Sequence, residues 1–182
     1  YHYIPSILQV LRDRGQDPWW VVIGTGTDCL QRLAAKEGVS ARLLTFSTIG
    51  TTTSANWRTR LSELPPADLV QWYKAADIYV HPGILEAFGN IVVEAMAAGL
   101  PLVVTDGTGA SDCVEKARCG LVAKTHDVED MAAKIRLLLE NKPLRDQMAV
   151  RAKEGAKEYD WPIIARKYAA VYEKAIAAKK VG

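Results

Sequence analysis

The chain has 182 residues, 49% of them hydrophobic and 24% charged, with a net charge of +2 at pH 7. This composition fits one soluble domain with room for a sizeable core, and so small a charge gives no warrant for a nucleic-acid partner. The three cysteines, Cys29, Cys113 and Cys119, have neither metal-ligand nor Cys-x-x-Cys spacing, and no apolar run approaches a membrane span, so a reducing, cytoplasmic setting is expected.

Tyr1 opens directly into an amphipathic pattern with no signal peptide, as expected of a piece cut from something longer. Ile4, Ile7, Leu8 and Leu11 recur at helical spacing, Pro5 suits a helix start, and Arg14-Gly15 ends the helix. Trp19 to Ile23 reads as a buried strand, followed by Gly24-Thr25-Gly26-Thr27 and a helix through Leu30, Leu33 and Ala34 to Gly38. Arg42 to Phe46 is a second strand. Residues 47–66 form a long polar insertion, rich in threonine and closed by two prolines; a functional or mobile loop and an inert solvated one are equally compatible with it. A short helix over 68–76 contains Trp72 and Tyr73, and Asp77 to His81 is a third strand.

Pro101 to Thr105 is a fourth strand, then Asp106-Gly107-Thr108-Gly109, a helix from Ala110 to Ala117 and a small strand, Gly120 to Ala123. Asp127 to Glu140 presents Met131, Ile135 and Leu138 on one helical face. Asn141-Lys142-Pro143 is expected to break it before a helix over Leu144 to Glu158. Asp160 caps a last helix over 160–178, with Pro162 just inside its start and Ile163, Ile164, Tyr168, Val171 and Tyr172 expected to be buried. Apolar strands alternating with helices predict an α/β fold, a doubly wound parallel sheet covered on both faces. Ligands on such folds sit beyond the carboxyl ends of the strands.

The stretch from His81 to Thr105 is the most informative. Its helix reads Ile91-Val92-Val93-Glu94-Ala95-Met96-Ala97-Ala98, apolar apart from Glu94. A helix apolar on most sides is expected to be buried, and a buried carboxylate is costly unless something hydrogen-bonds it. Glu94 therefore either points out of the core or has a partner. Gly89-Asn90 lies where loop becomes helix. The first N–H groups of a helix have no internal partner, and glycine admits a phosphate close to the backbone. For those two residues alone, a plain cap by Asn90 is the favoured reading.

A capping box for Glu94 would need Ser or Thr three residues earlier, and that residue is Ile91. Glu94 lies one turn beyond Asn90 on the same edge, where it could accept hydrogen bonds from a ribose next to the phosphate. Glu86 precedes the loop, where it could meet hydroxyls on the other side of that phosphate; a solvated loop residue is the plainer reading. Together the two carboxylates suggest a nucleotide sugar. Gly24-Thr25-Gly26 and Gly107-Thr108-Gly109 are weak signals that gain from lying at the correct sheet edge. His81 reads as structural and Cys113 and Cys119 as core. No nucleophile, base and acid arrangement of the hydrolase kind is present.

The residues Glu86-Ala87-Phe88-Gly89-Asn90, followed by Glu94-Ala95-Met96-Ala97-Ala98-Gly99-Leu100-Pro101, resemble the signature of retaining glycosyltransferases of the GT-B fold, the glycosyl transferases group 1. That signature has two glutamates separated by seven residues, with Phe-Gly between them and Glu-Ala-Met-Ala after. Ile23-Gly24-Thr25-Gly26, Ala75-Ala76-Asp77-Ile78-Tyr79-Val80 and Thr105-Asp106 fit the same pattern. The resemblance covers nearly the whole chain, including the region of Trp161 and Tyr172. It implies a single C-terminal, donor-binding domain over residues 1–182. Glu94 then resembles the ribose-binding glutamate, and Glu86 the one that contacts the donor sugar and is the catalytic candidate. Phe88, Gly89, Asn90 and Ile91 would hold sugar and phosphate, with Phe46 beside the base and Gly24 and Gly26 lining the cleft.

The resemblance implies a nucleotide-sugar substrate, UDP-, GDP- or ADP-linked, with no cofactor; there is no Asp-x-Asp motif, so no metal is expected. Family members carry an Arg and a Lys just ahead of the first helix to offset the leaving diphosphate. Neither these nor the acceptor-binding N-terminal domain falls within this chain, so the isolated chain is expected to fold without transferring sugar. Any peripheral membrane association would come through that other half, on the cytoplasmic face. His81-Pro82 departs from the usual Pro-Ser, Gly107-Thr108-Gly109 is a looser glycine pair, and the 47–66 insertion leaves the base open. Two other readings remain: a nucleotide-sugar epimerase or hydrolase of the same fold, and a non-catalytic nucleotide-sugar-binding module.

Overall fold

A computed structural model describes residues 2–24, 28–47, 66–85 and 87–181. In chain order they form α1 (Ile4–Asp13), β1 (Trp20–Gly24), α2 (Asp28–Lys36), a 3-10 turn (Ser40–Arg42), β2 (Leu43–Ser47), α3 (Pro66–Ala75), β3 (Tyr79–His81) and α4 (Asn90–Ala98). There follow β4 (Leu102–Thr105), α5 (Gly109–Ala117), β5 (Gly120–Ala123), α6 (Val128–Glu140), α7 (Lys142–Ala156), a 3-10 turn (Lys157–Tyr159) and α8 (Trp161–Val181). Apart from its two ends, the polar segment expected over 47–66 lies outside the described residues, as do Gly26 and Glu86.

Among the described residues every strand pairing is parallel, as the predominantly apolar strands predict. The pairings fall into two sets, β1-β2 and β3-β4-β5. Within the first, Trp20 lies opposite Leu43 and Ile23 opposite Phe46. Within the second, His81 lies opposite Val104, and Val104 opposite Val122.

β4 shows why the class is doubly wound. All four of its residues are buried, and its side chains alternate between two cores. Leu102 and Val104 join Val92, Ala95 and Met96 of α4, Cys113 and Val114 of α5 and Ala152 of α7. Val103 joins Ile7 and Leu11 of α1 and Met131, Ile135 and Leu138 of α6 on the opposite face. Burying each such aliphatic side chain stabilises the fold by roughly 1.5–3 kcal/mol. α1 also connects the two strand sets: Ile4 and Leu8, on its other edge, pack with Leu30, Ala34, Val39 and Leu43.

The structure corrects three expectations. Lys142-Pro143 is the first turn of α7 rather than part of a break; Asn141 ends α6 and caps α7 by accepting a hydrogen bond from the Leu144 N–H. α4 is not enclosed on most sides: Val92, Ala95 and Met96 face the core, while Asn90, Ile91, Glu94 and Ala97 form one open face. α8 does not bury the residues assigned to its core. Ile163 and Ile164 are half-buried, but Tyr168, Val171 and Tyr172 are 60%, 61% and 62% exposed. Helical spacing collects these side chains on one stripe, yet periodicity does not say whether another element covers it.

Candidate functional site

The carboxyl end of β3 leads into the loop that precedes α4. His81 is buried, its ring stacked on Tyr79 at 6.5 Å, a core position. The Thr105 hydroxyl at the end of β4 donates to the Gly83 carbonyl, tying this loop to the next strand. Ala87 and Phe88 are exposed, and the Phe88 ring lies 5.4 Å from that of Tyr159. The Tyr159 hydroxyl donates to Cys113 Sγ at 3.3 Å. Desolvation, and then that bond, hold the Tyr159 hydroxyl above its usual pKa. The loop is thus braced by the turn ahead of α8, a contact spanning 71 positions that local sequence gives no way to read.

Gly89, with φ 70° and ψ 76°, is the residue that caps α4. This left-handed conformation favours glycine. Asn90 is the first helical residue and not the cap, which corrects the plain-cap reading. Among the described residues no side chain caps this helix; the Val92 N–H bonds the Gly89 carbonyl at 2.8 Å, and the N–H groups of Asn90 and Ile91 stand at the loop with the positive end of the helix dipole behind them. Asn90, Ile91 and Glu94 share the open face, with Glu94 one turn beyond Asn90.

Both alternatives for Glu94 hold. It is exposed, and its Oε2 accepts a hydrogen bond from the Tyr73 hydroxyl of α3 at 3.2 Å. Tyr73 is half-buried, and its ring lies 6.1 Å from that of Tyr79. Desolvation, then the charge of Glu94 and the hydrogen bond to it, raise the Tyr73 pKa above the ordinary tyrosine value, so the group stays a neutral donor. Sequence reading placed Tyr73 in a helix but gave it no role, because its partner lies 21 positions away on another helix.

The loop before α5 is built differently. The Thr108 side chain accepts from the Ser111 N–H, and the Ser111 hydroxyl accepts from the Thr108 N–H, a reciprocal capping box. Gly109 abuts the neighbouring loop: a Cβ there would stand 1.9 Å from the Ala87 carbonyl oxygen and 3.0 Å from Phe88 Cα. At Gly109, though not at Gly107, the weak glycine signal is therefore a packing requirement of the loop ahead of α4. Asp106 accepts from the Thr125 N–H at 2.8 Å and from the Thr125 hydroxyl at 2.5 Å. The hydroxyl bond, with the backbone bond second, holds the Asp106 carboxyl below the usual range. Burial pushes the Cys119 thiol up to about 11, which suits an unreactive core cysteine.

The structure therefore brings Phe88, Gly89, Asn90, Ile91 and Glu94 together at one helix start. Gly24 and the backbone of Phe46 lie at the carboxyl ends of β1 and β2, in the other strand set. Gly26, Glu86 and the side chain of Phe46 are outside what is described.

The family model for glycosyl transferases group 1 matches residues 59–155, just over half of the chain. An N,N'-diacetylbacillosaminyl-diphospho-undecaprenol alpha-1,3-N-acetylgalactosaminyltransferase of Campylobacter jejuni is 39% identical over 110 residues, covering 60% of this chain and 29% of that enzyme. The structure of WaaG, a glycosyltransferase involved in lipopolysaccharide biosynthesis, superposes with a TM-score of 0.69 at 26% identity, covering 92% of this chain and 42% of WaaG. The C-terminal domain of the group 1 family protein LpcC from Francisella tularensis has the same fold, with a TM-score of 0.64 at 22% identity over 86% of this chain and 76% of that domain. The chain thus spans under a third of its Campylobacter relative and less than half of WaaG.

Proposed function

The chain belongs to the glycosyl transferases group 1 family, half of a GT-B fold, and from that premise we propose that it binds the nucleotide-sugar donor of a retaining sugar transfer. The observation that carries this reading is Glu94, held by Tyr73 one turn beyond the side-chain-uncapped start of α4. An anion at that start meets N–H groups and the positive end of the helix dipole, so the diphosphate belongs there. A carboxylate one turn along would repel the phosphates if it faced them, but it can accept hydrogen bonds from the ribose hydroxyls beside them. Glu86 takes the donor-sugar side in this proposal and is its catalytic candidate, with Phe88 to Ile91 along the sugar and phosphate. Gly24, Gly26 and Phe46 serve the nucleotide.

The acceptor, and the cations that would offset the leaving diphosphate, belong to other parts of the whole protein in this reading; its relatives are more than twice as long. The proposal places the reaction in the cytoplasm or on the cytoplasmic face of a membrane, supported by the buried thiols of Cys113 and Cys119. The test is calorimetric titration with UDP, GDP, ADP and their sugars, which also identifies the base. Glu94→Ala is expected to weaken nucleotide binding by about 1–3 kcal/mol. An unchanged affinity would remove Glu94 from the site. The isolated 182-residue chain is expected to bind donor without transferring sugar, and product formed by it alone would refute that division of labour.

A further inference from the structure

We propose that Tyr73 is the positioning residue for Glu94, and that through it α3 sets how strongly the site discriminates ribose from deoxyribose. This inference rests on the ribose reading of Glu94. An exposed glutamate on a helix samples several rotamers, and each must be given up when a ligand binds. Glu94 is such a residue by exposure but not by contact. Tyr73 Oη donates to its Oε2 at 3.2 Å, from a ring fixed in the packing between α3, α4 and β3. That distance is long for a bond to a carboxylate, as bonds in ligand-free sites commonly are before the ligand tightens them.

The stoichiometry of the contact is informative. A carboxylate offers about four acceptor positions, and a tyrosine hydroxyl occupies one. Tyr73 therefore fixes one oxygen of Glu94 and leaves the other, with the remaining lone pair of the first, for two vicinal hydroxyls. Two vicinal hydroxyls can use these remaining positions together, whereas a single hydroxyl uses only one of them. The Tyr73 ring also gives the arrangement rigidity from outside α4. It packs beside Tyr79, the first residue of β3, whose ring in turn stacks on His81. The position of the Glu94 carboxylate is thus referred to β3, the strand that leads into the donor loop. The elevated Tyr73 pKa is consistent with a hydroxyl that donates throughout the physiological range.

The experiment uses the full-length protein and compares UDP, GDP and ADP with their 2′-deoxy and 3′-deoxy counterparts, in wild type, Tyr73→Phe and Glu94→Ala. Whichever base binds, the wild type should prefer the ribonucleotide by about tenfold, the scale of a hydrogen bond to a charged group. Glu94→Ala should abolish that preference. Tyr73→Phe keeps the ring and removes only the hydroxyl, and it should cut the preference about threefold or more. A melting temperature measured alongside separates this from loss of fold, since a purely structural tyrosine would lower the melting temperature and leave the ribose-to-deoxyribose ratio untouched. If Tyr73→Phe keeps the full ratio while Glu94→Ala abolishes it, the role of Tyr73 is overturned and the ribose reading stands. If Glu94→Ala also keeps the ratio, or the wild type binds no nucleotide, the reading of Glu94 falls and the role of Tyr73 falls with it.

Discussion

α4 and α5 both begin at the carboxyl edge of the parallel strands, each after a strand and a glycine-containing loop, and their first turns are completed in different ways. At α5, Thr108 and Ser111 cap one another's backbone, with both side chains buried. At α4 the equivalent positions are Gly89 and Val92, and neither has a side chain that can accept a hydrogen bond. Every α-helix leaves its first N–H groups without internal partners. α5 satisfies part of that need with side chains from its own sequence; at α4 the Val92 N–H turns back to the Gly89 carbonyl at 2.8 Å, and no side chain among the described residues caps the helix. Position in the fold alone therefore does not distinguish the two helix starts. In the proposed function the residues at the cap and three positions later mark α4 as the donor site, together with a carboxylate one turn on.

The largest expected effect comes from the point where the two starts touch. Replacing glycine by alanine in an open helix is worth roughly 1 kcal/mol of stability. At Gly109 the new Cβ would stand 1.9 Å from the Ala87 carbonyl oxygen, a backbone atom that cannot rotate away. Gly109→Ala should therefore destabilise by about 1–3 kcal/mol, as overpacked sites do. By displacing the Ala87–Phe88 loop it should also weaken nucleotide binding on the order of tenfold. Urea denaturation with a parallel titration measures both. Full affinity in Gly109→Ala would mean that the two helix starts are independent.

The difference between the caps can be tested directly. Thr108→Ala should cost about 1 kcal/mol of stability and leave nucleotide affinity unchanged, because its hydroxyl bonds the Ser111 N–H of α5 and the Thr105 carbonyl, neither of which belongs to α4. Gly89→Ala should cost about 1–2 kcal/mol, the penalty for a side chain in left-handed backbone, and should weaken binding as well. Equal effects of the two variants on affinity would erase the distinction between a self-satisfied and a ligand-satisfied helix start.

Much of this was legible in the sequence. The strands read at 19–23, 42–46 and 101–105 lie within one residue of β1, β2 and β4, because β-branched, aromatic and aliphatic clusters bounded by turns leave few alternatives. Glu94 stood out because a carboxylate in an apolar helix conflicts with its surroundings. What could not be read was pairing between elements distant in sequence. Tyr73 is an unremarkable helical tyrosine until α3 lies against α4, and Tyr159 a turn residue until its ring meets Phe88. The same blindness misplaced Tyr168, Val171 and Tyr172. Their spacing specifies a shared stripe on α8, but burial depends on what the rest of the fold brings to it.

The smallest effect concerns how the α5 side of the comparison is anchored. The Asp106 carboxyl is depressed chiefly by the Thr125 hydroxyl and next by the Thr125 N–H. A depressed carboxylate contributes stability that is fully present above the unfolded pKa, near ~4, and is lost as pH falls through the folded value. Asp106 is exposed, so that contribution is screened and its effect on overall acid stability is slight. The local signature is clearer. In Thr125→Val the hydroxyl is lost while the N–H remains, so the Asp106 pKa should move up toward the ordinary range without regaining it fully. Carboxyl-carbon NMR titration reads that shift. Nucleotide affinity at neutral pH should stay as in the wild type, because Asp106 belongs to the loop whose helix caps itself. A loss of affinity in Thr125→Val would extend the donor site across both helix starts and end the contrast between them.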